Sequence, residues 1–238
     1  IPVAPNLDTT EGSLKVNMAT LAESDDTSQS FTGVFNTPLI KDTLALRVAA
    51  YHFEDAGYVD AISTPEAEAK NAAATAGSRP IRVEKDINGG ETSGVRASLL
   101  WQANDDLDVN VTIGAQRQEY DGLNSVRLDA GGYNMTSPDV GGSLKNDADY
   151  ANLTISYDMD WATLTSATSV LNSDLETRTS PFPFTSGANS LSTRWDAGYE
   201  TEITSQEVRL SSQLDGPLQF ITGLYYEDVQ RDQPFFAP

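Results

Sequence analysis

The side chains in this sequence that could do acid–base or metal chemistry are a single histidine and several clusters of carboxylates. The chain has 238 residues with one histidine, His52, and no cysteine. Without cysteine, zinc-finger, thioredoxin-like and cysteine-protease functions are excluded. A His-rich metal site or a Ser-His-Asp triad would rest on His52 alone. This residue continues an apolar alternation of Leu44, Leu46, Val48 and Ala50, so we interpret it as an interfacial residue of a strand, not a catalyst or ligand.

Three clusters of carboxylates could in principle bind calcium, which prefers several oxygen ligands. They are Glu23 with Asp25 and Asp26, Asp105 with Asp106 and Asp108, and Asp147 with Asp149. None has the spacing of an EF-hand loop, and solvation in turns and loops explains them more simply. We therefore predict no catalytic, cofactor-binding or metal-binding residue, and the chain is not expected to be an enzyme.

Glycine pairs and an aromatic run are the remaining candidates. Gly89-Gly90, Gly131-Gly132 and Gly141-Gly142 lack the following Lys-Ser/Thr of a phosphate loop, so they are interpreted as loop glycines. The run Pro181-Phe182-Pro183-Phe184, together with Tyr133, could grip a ligand on an outer surface. Packing of one loop on another explains it equally well.

Charge and hydropathy narrow the class of protein. A formal net charge of −20 argues against a nucleic-acid binder, which neutralises phosphates with Lys and Arg. No run of about 18 apolar residues occurs, which excludes a transmembrane helix. A membrane β-barrel remains possible because its lipid-facing residues are diluted by alternation along each strand.

Alternating apolar and polar residues predict nine strands. The clearest phase lies in 107–118, where Leu107, Val109, Val111 and Ile113 alternate with polar or small residues. The predicted strands are 11–20, 28–37 (ended by Pro38), 43–54, 91–101, 107–118, 147–158, 161–172, 204–212 and 217–226. Three long loops separate them, Asp55 to Gly90, Glu119 to Asn146 and Ser173 to Gly198, and the first contains a predicted short helix over Pro65 to Ala74.

The lengths of the connections alternate along the chain. Every second connection is a tight turn: Ile40 to Asp42, Gln102 to Asp106, Met159-Asp160 and Gln213 to Gly216. In an up-and-down sheet all long loops then emerge at one end, as in outer-membrane barrels. Four aromatic residues close to the tight turns would form an interfacial girdle: Trp101, Tyr157, Trp161 and Phe220.

An odd number of strands cannot close an ordinary bacterial barrel, so either the count is wrong by one strand or these residues are a piece of a larger barrel. The predicted fold is therefore all-β, an antiparallel up-and-down transmembrane β-barrel, of which residues 1–238 contribute about nine strands. We treat these residues as part of a single barrel domain.

Three stretches, in order, resemble the barrel of TonB-dependent outer-membrane receptors. The first runs from Asn36-Thr37-Pro38-Leu39 through Leu44-Ala45-Leu46-Arg47-Val48-Ala49-Ala50-Tyr51 to Asp55-Ala56-Gly57-Tyr58-Val59-Asp60. The second is Val95-Arg96-Ala97-Ser98-Leu99-Leu100-Trp101 before Asp105-Asp106-Leu107. The third is the hairpin from Gln206 to Tyr226, with Phe220 where the family commonly has Trp.

The resemblance implies a plugged barrel of roughly 22 strands, with the plug domain and the C-terminal strands outside this sequence. It implies active transport of a scarce nutrient such as a ferric siderophore, cobalamin or a glycan across the outer membrane of a Gram-negative bacterium. The implied partners are the TonB complex, reached through the plug, a small-molecule ligand at the outer loops, and outer-membrane lipid. No nucleic acid and no cofactor are expected.

Three other functions stay open from the sequence. A passive porin-like channel fits the residue pattern nearly as well. A barrel enzyme, such as an outer-membrane protease or phospholipase, would depend on His52. A soluble β-sandwich binding module is the weakest of the alternatives.

Overall fold

The computed structural model describes residues 3–61, 85–122, 134–135, 142–179, 195–233 and 235–236. These residues form strands and turns, with no helix among them. The strands are β1 (Glu11–Thr20), β2 (Thr27–Ile40), β3 (Leu44–Asp55), β4 (Asp60–Ala61), β5 (Gly90–Asn104), β6 (Leu107–Tyr120), β7 (Asn134–Met135), β8 (Ser143–Asp158), β9 (Ala162–Thr179), β10 (Trp195–Ser212), β11 (Ile221–Asp232) and β12 (Phe235–Phe236).

Nine of these strands form one antiparallel meander in chain order, β1-β2-β3-β5-β6-β8-β9-β10-β11. The sheet is open, with β1 and β11 at its two edges, and β12 adds a short pairing to β10. The short strands β4 and β7 pair in parallel with each other. The all-β, antiparallel, up-and-down prediction is therefore confirmed for the described residues, and closure into a barrel is taken up below as a proposal.

The predicted hairpin forms, with β10 and β11 as its two arms. Val208 pairs with Leu224 and Gln206 with Tyr226, so the apolar residues of both arms share one face, as alternation requires. The connection is longer than a tight turn, because β11 begins at Ile221. Gln219 organises it: its side-chain Oε1 accepts from the backbone N–H of Leu214 at 3.2 Å, and its Nε2 donates to the Leu214 carbonyl.

Several predicted strand boundaries were wrong, among them those at Pro38 and at the loop from Ser173 to Gly198. Pro38 does not end β2, since a bulge between Pro38 and Ile40 carries the strand on to Ile40; a bulge tolerates a residue that has no N–H to donate. The loop predicted from Ser173 to Gly198 is much shorter, because β9 runs to Thr179 and β10 starts at Trp195. The polar residues of 173–179 adopt extended backbone because the neighbouring strands β8 and β10 pair with them.

Full burial occurs in small patches at the ends of the sheet, not in a central core. Ala45 and Ala162 lie near tight turns, and Val59 and Ala61 lie at the loop end, each 0–1 % exposed. Most large apolar side chains of the sheet are instead exposed. Within the described residues, no helix is long and apolar enough to cross a membrane.

Candidate functional site

The sheet has one apolar face and one polar face. Residues paired across an antiparallel ladder share a face, and Leu46, Leu99, Val111 and Leu153 form one such row. Neighbouring side chains on the same face are exposed to solvent, Ile113 by 55 % and Trp101 by 47 %. We call this surface the apolar band; its main members are Leu14, Val16, Met18, Phe31, Phe35, Ile40, Leu44, Leu46, Val48, Val95, Leu99, Trp101, Leu107, Val109, Val111, Ile113, Leu153, Ile155, Tyr157, Leu164, Val170, Val208, Leu210, Leu224 and Tyr226.

No charged side chain interrupts the apolar band within the described strands. Where polar residues occur between β9 and β10, they bond to each other: Thr168 donates to Gln206, and Gln206 donates to Ser166 Oγ at 3.0 Å. Satisfied polar groups of this kind are compatible with a surface that faces an apolar medium.

The opposite face carries hydroxyls, amides and ion pairs, together with some apolar side chains such as Leu171, Ile203 and Val229. The hydroxyl oxygens of Ser98 and Thr112 are hydrogen-bonded at 3.0 Å between β5 and β6. Asn152 Nδ2 donates to Ser169 Oγ at 2.7 Å. Arg47 pairs with Glu11 at 3.1 Å. This polar face is therefore built to meet water or polar groups.

Two tyrosines on the polar face cover glycines of the neighbouring strand. A Cβ at Gly94 would lie 2.5 Å from the Tyr51 ring, and one at Gly114 would lie 2.5 Å from the Tyr150 ring. The hydroxyl of Tyr51 then reaches Gln116 and donates to Oε1 at 2.6 Å. The glycines let both rings lie flat on the sheet.

The segment before β1 packs on the polar face near the tight-turn end. Asn36, which is fully buried, accepts from the backbone N–H of Asn6 at 2.8 Å and donates to the carbonyls of Asn6 and Thr9. The backbone N–H of Asp42 donates to the Leu7 carbonyl at 3.2 Å. A hydrogen bond with the neighbouring Asp42 carboxyl raises the pKa of Asp8.

At the other end of the sheet, the bases of the long loops form a folded cluster. We define this loop-end cluster as residues 55–61, 85–90 and 121–122. The buried side chain of Asn88 accepts from the backbone N–H groups of Tyr58 and Val59 at 2.7 and 2.8 Å. The N–H of Ile87 donates to the Val59 carbonyl at 2.7 Å. Four backbone groups are thereby satisfied outside any regular strand.

Next to this cluster lies an acidic cavity of about 470 Å³. Its lining carries seven carboxylates: Asp25, Asp26, Glu54, Asp55, Asp86, Glu91 and Asp121. Asp86 Oδ2 accepts from the Asp25 N–H at 2.9 Å, while its Oδ1 is buried and has no hydrogen-bond partner among the described residues. Lys85 donates to Asp25, and that hydrogen bond raises the pKa of the Lys85 ammonium.

On the same face as the apolar band, but nearer the long loops, most of the side chains are carboxylates. We call them the acidic collar: Glu54, Glu91, Glu119, Asp147, Asp149, Asp174, Glu176, Glu200, Glu202, Asp228 and Asp232, with the cations Arg117 and Lys145 among them. Lys145 bonds Glu119 at 2.7 Å, and Arg117 approaches Asp147 at 3.8 Å. The negative charge of the described strands is thus concentrated at the loop end.

The structure separates the predicted candidate residues. His52 lies on the apolar face, paired with Phe31 on one side and Ser93 on the other, at the edge of the apolar band nearest the long loops. Of the carboxylate clusters, Asp25 and Asp26 line the acidic cavity, Asp147 and Asp149 belong to the acidic collar, and Asp105 and Asp106 form a tight turn at the opposite end. Within the described residues, no group of three or more His, Cys, Asp or Glu side chains has the geometry to hold a metal ion.

Several predicted features fall outside the described residues: the short helix over Pro65 to Ala74, the run Pro181 to Phe184, Tyr133, Gly131-Gly132 and Gly141. Gly90 begins β5 and Gly89 belongs to the loop-end cluster. The loop predicted from Glu119 to Asn146 is shortened at both ends, because β6 reaches Tyr120 and β8 starts at Ser143.

Sequence reasoning missed Asn36 and Asn88, the two buried amides that bind backbone groups. No local signal distinguishes them from surface asparagines. The acidic collar was also missed, although its signal was present: the alternating charges of 174–176 and 200–202 continue the apolar phase of their own strands.

Comparison with known proteins finds no matching family model, no matching curated protein and no matching solved structure.

Proposed function

We propose that this chain is part of an outer-membrane β-barrel receptor for TonB-dependent active transport of a scarce nutrient. The observation that carries the proposal is a nine-stranded meander with an uncharged apolar band on one face, a hydrogen-bonding opposite face, and its long connections at one end. A soluble β-sandwich would need a second sheet to cover the band.

The dimensions of the band support a membrane location. On β6 the outward apolar residues run from Leu107 to Ala115, which is about 27 Å along a strand at about 3.4 Å per residue. Outer-membrane barrels carry an apolar band of about 25 Å, bordered by aromatic residues. Trp101, Tyr157, Trp161 and Phe220 lie at the tight-turn border, each 40–49 % exposed.

The opposite face would line the interior of the barrel. There the segment before β1 already lies against the wall at β2 through Asn36, which favours an interior that holds polypeptide over an open pore. A plug that meets the TonB complex is the occupant implied by the sequence resemblance to TonB-dependent receptors.

In this function no covalent bond is made or broken. Outer loops capture the ligand, and energy from the TonB complex moves the plug. The loop-end cluster would hold the bases of two long loops in place, since β4 of one pairs with β7 of the other. The ligand class proposed is a ferric siderophore, cobalamin or a glycan.

The test is uptake by cells that express the intact protein, with and without a functional TonB complex. Labelled ferric siderophores, cobalamin and oligosaccharides serve as probes, and the uptake of one of them should require both the protein and TonB. Uptake of small solutes that persists without TonB, together with swelling of vesicles that contain the protein, would identify a passive channel instead.

A further inference from the structure

Arg96 is a partly buried cation on the polar face of β5, in the half of the strand nearer the long loops. Within the described residues, its guanidinium makes no ion pair and no hydrogen bond. The other arginines of the polar face in the described strands each have a partner: Arg47 has Glu11, Arg209 has Glu207 and Arg231 has Thr201. Arg96 therefore differs from them in keeping all its donors unused.

The polar face around Arg96 contains no carboxylate in the described strands. Its own register row and the rows on either side of it hold only uncharged residues and Arg47 on β2, β3, β5, β6 and β8. These residues are Asn36, Val34, Thr32, Arg47, Ala49, Tyr51, Ser98, Gly94, Thr112, Gly114, Gln116, Asn152, Tyr150 and Ala148. The chain as a whole has 35 acidic and 15 basic residues. Since no acidic side chain of the sheet is placed to neutralise Arg96, its charge is available to an anion from outside the sheet.

Two tyrosine hydroxyls flank Arg96 because glycines make room for their rings. A Cβ added to Gly114, the cross-strand partner of Arg96, would lie 2.6 Å from the Tyr150 hydroxyl oxygen. One added to Gly94 would lie 2.5 Å from the Tyr51 hydroxyl oxygen. Gly94 is two residues from Arg96 on the same face of β5, about 7 Å along the strand. Both hydroxyls therefore lie next to the base of the arginine side chain.

The polar groups beside Arg96 are hydrogen-bond donors without acceptors. Tyr51 donates its hydroxyl to Gln116 Oε1 at 2.6 Å, which orients the amide, and Gln116 Nε2 has no acceptor among the described residues. The Tyr150 hydroxyl also has no hydrogen-bond partner within that part of the chain. A guanidinium, an amide N–H and a hydroxyl thus share one patch, and all three can donate to an oxygen anion.

We propose that Arg96, Gln116 and Tyr150 form a binding site for a carboxylate group of the transported ligand. The planar guanidinium matches a carboxylate, to which it donates two parallel N–H bonds. The patch lies in the loop-side half of the polar face, which a ligand captured by the outer loops would reach. This inference rests on the proposed function, and it favours carboxylate-bearing siderophores and acidic glycans over uncharged glycans.

The test is titration calorimetry of the intact protein in detergent with tricarballylate, a small tricarboxylate, and with its uncharged trimethyl ester. We expect tricarballylate to bind and the ester not to bind. Arg96→Gln should weaken the binding of tricarballylate about 10- to 100-fold, the usual effect of losing hydrogen bonds to a charged group. Tyr150→Phe removes only the hydroxyl and should weaken the binding about three- to tenfold.

Arg209→Gln is the matched control, because Arg209 lies on the same face but already has Glu207 at 3.5 Å. This variant should bind tricarballylate like the parent. Equal affinity of the parent and Arg96→Gln, or no binding by the parent, would overturn the carboxylate site even where TonB-dependent uptake is found. If Arg96→Gln does not fold, equal affinity of the parent and Tyr150→Phe overturns it. If tricarballylate binds through Arg96 but no probe is taken up with TonB, the site stands and the transport function is rejected.

Discussion

Gly57 adopts a backbone conformation that L side chains rarely take, with φ at +74°. A Cβ at this position would lie 2.5 Å from the Asp86 carbonyl oxygen and 2.7 Å from the Gly89 nitrogen. Glycine is needed here because both the torsion and the close approach of backbone exclude a side chain. The fold of the loop-end cluster therefore depends on a single residue type at position 57.

We expect Gly57→Ala to destabilise the loop-end cluster by about 1–3 kcal/mol, the usual cost of a strained backbone site. Faster hydrogen exchange at the Val59 and Ile87 amides would report it. Gly33→Ala is the control, since a Cβ added at Gly33 would meet no other atom within 4 Å. Equal exchange in the two variants would contradict the assignment.

The carboxyls of Asp8 and Asp42 give a prediction about pH. Because the folded-state pKa of Asp8 is raised from 3.8, the folded protein binds this proton more tightly than the unfolded chain does. Stability from the pair is therefore present below pH 3.8 and lost as the pH rises through the raised pKa.

Asp8→Asn should accordingly raise the midpoint of urea denaturation at pH 7 and give no gain near pH 3. Denaturation of the parent and the variant at both pH values checks this. In an Asp42→Asn background the gain at pH 7 should vanish; a gain that persists there would show that Asp42 is not its cause.

On the scale of the strand, the side to which a residue points decides what it contacts. Val111 and Thr112 are consecutive in β6, and they pair with Leu99 on the apolar face and Ser98 on the polar face respectively. The same substitution at these two positions therefore compares the two faces with strand and depth held nearly constant.

In a membrane-inserted sheet, Val111→Arg should cost about 2–4 kcal/mol, the effect of Arg on the lipid face near the bilayer midplane. Thr112→Arg should be tolerated better, because its side chain meets polar groups. The measurement is the fraction of protein that reaches the folded, heat-modifiable form in membranes. Equal losses in both variants would contradict the assignment of the faces.

For the whole molecule, the exposure of the apolar band predicts how the protein distributes between aqueous buffer and membranes or detergent. Ile113, Trp101 and Phe35 are each about half exposed, and in the proposed membrane location such a surface would be covered by lipid or detergent. We expect the intact protein to resist carbonate extraction from membranes, to dissolve in detergent and to change its gel mobility on heating. A folded monomer in plain buffer would instead favour the β-sandwich.

The directions of the two edge strands limit how the proposed barrel could close. Its first and last strands, β1 and β11, are the first and ninth of an alternating meander and run in the same direction. They cannot pair antiparallel with each other, so a closed antiparallel barrel that contains both requires an odd number of further strands between them.

Alternation by itself predicted the sheet, because the side-chain period of a strand is two. The phase of 107–118 followed from Leu107, Val109 and Val111, and β1 followed from the alternation of Leu14, Val16 and Met18. Tight turns were predicted at Ile40 to Asp42 and at Gln102 to Asp106, and both are shorter in the structure because β2 includes Ile40 and β5 runs to Asn104. Strand ends were not predictable from alternation, since Pro38 and the polar residues of 173–179 are extended only where a neighbouring strand pairs with them.

Only the tertiary structure decided which distant residues meet. The buried amides Asn36 and Asn88 bind backbone far away in sequence, and the carboxylates of the acidic collar become neighbours only when the strands are placed in register. The physical reason is that periodicity along one strand fixes which face a residue occupies, whereas its depth and its partners depend on the offset between strands, which is set by pairing across the whole sheet.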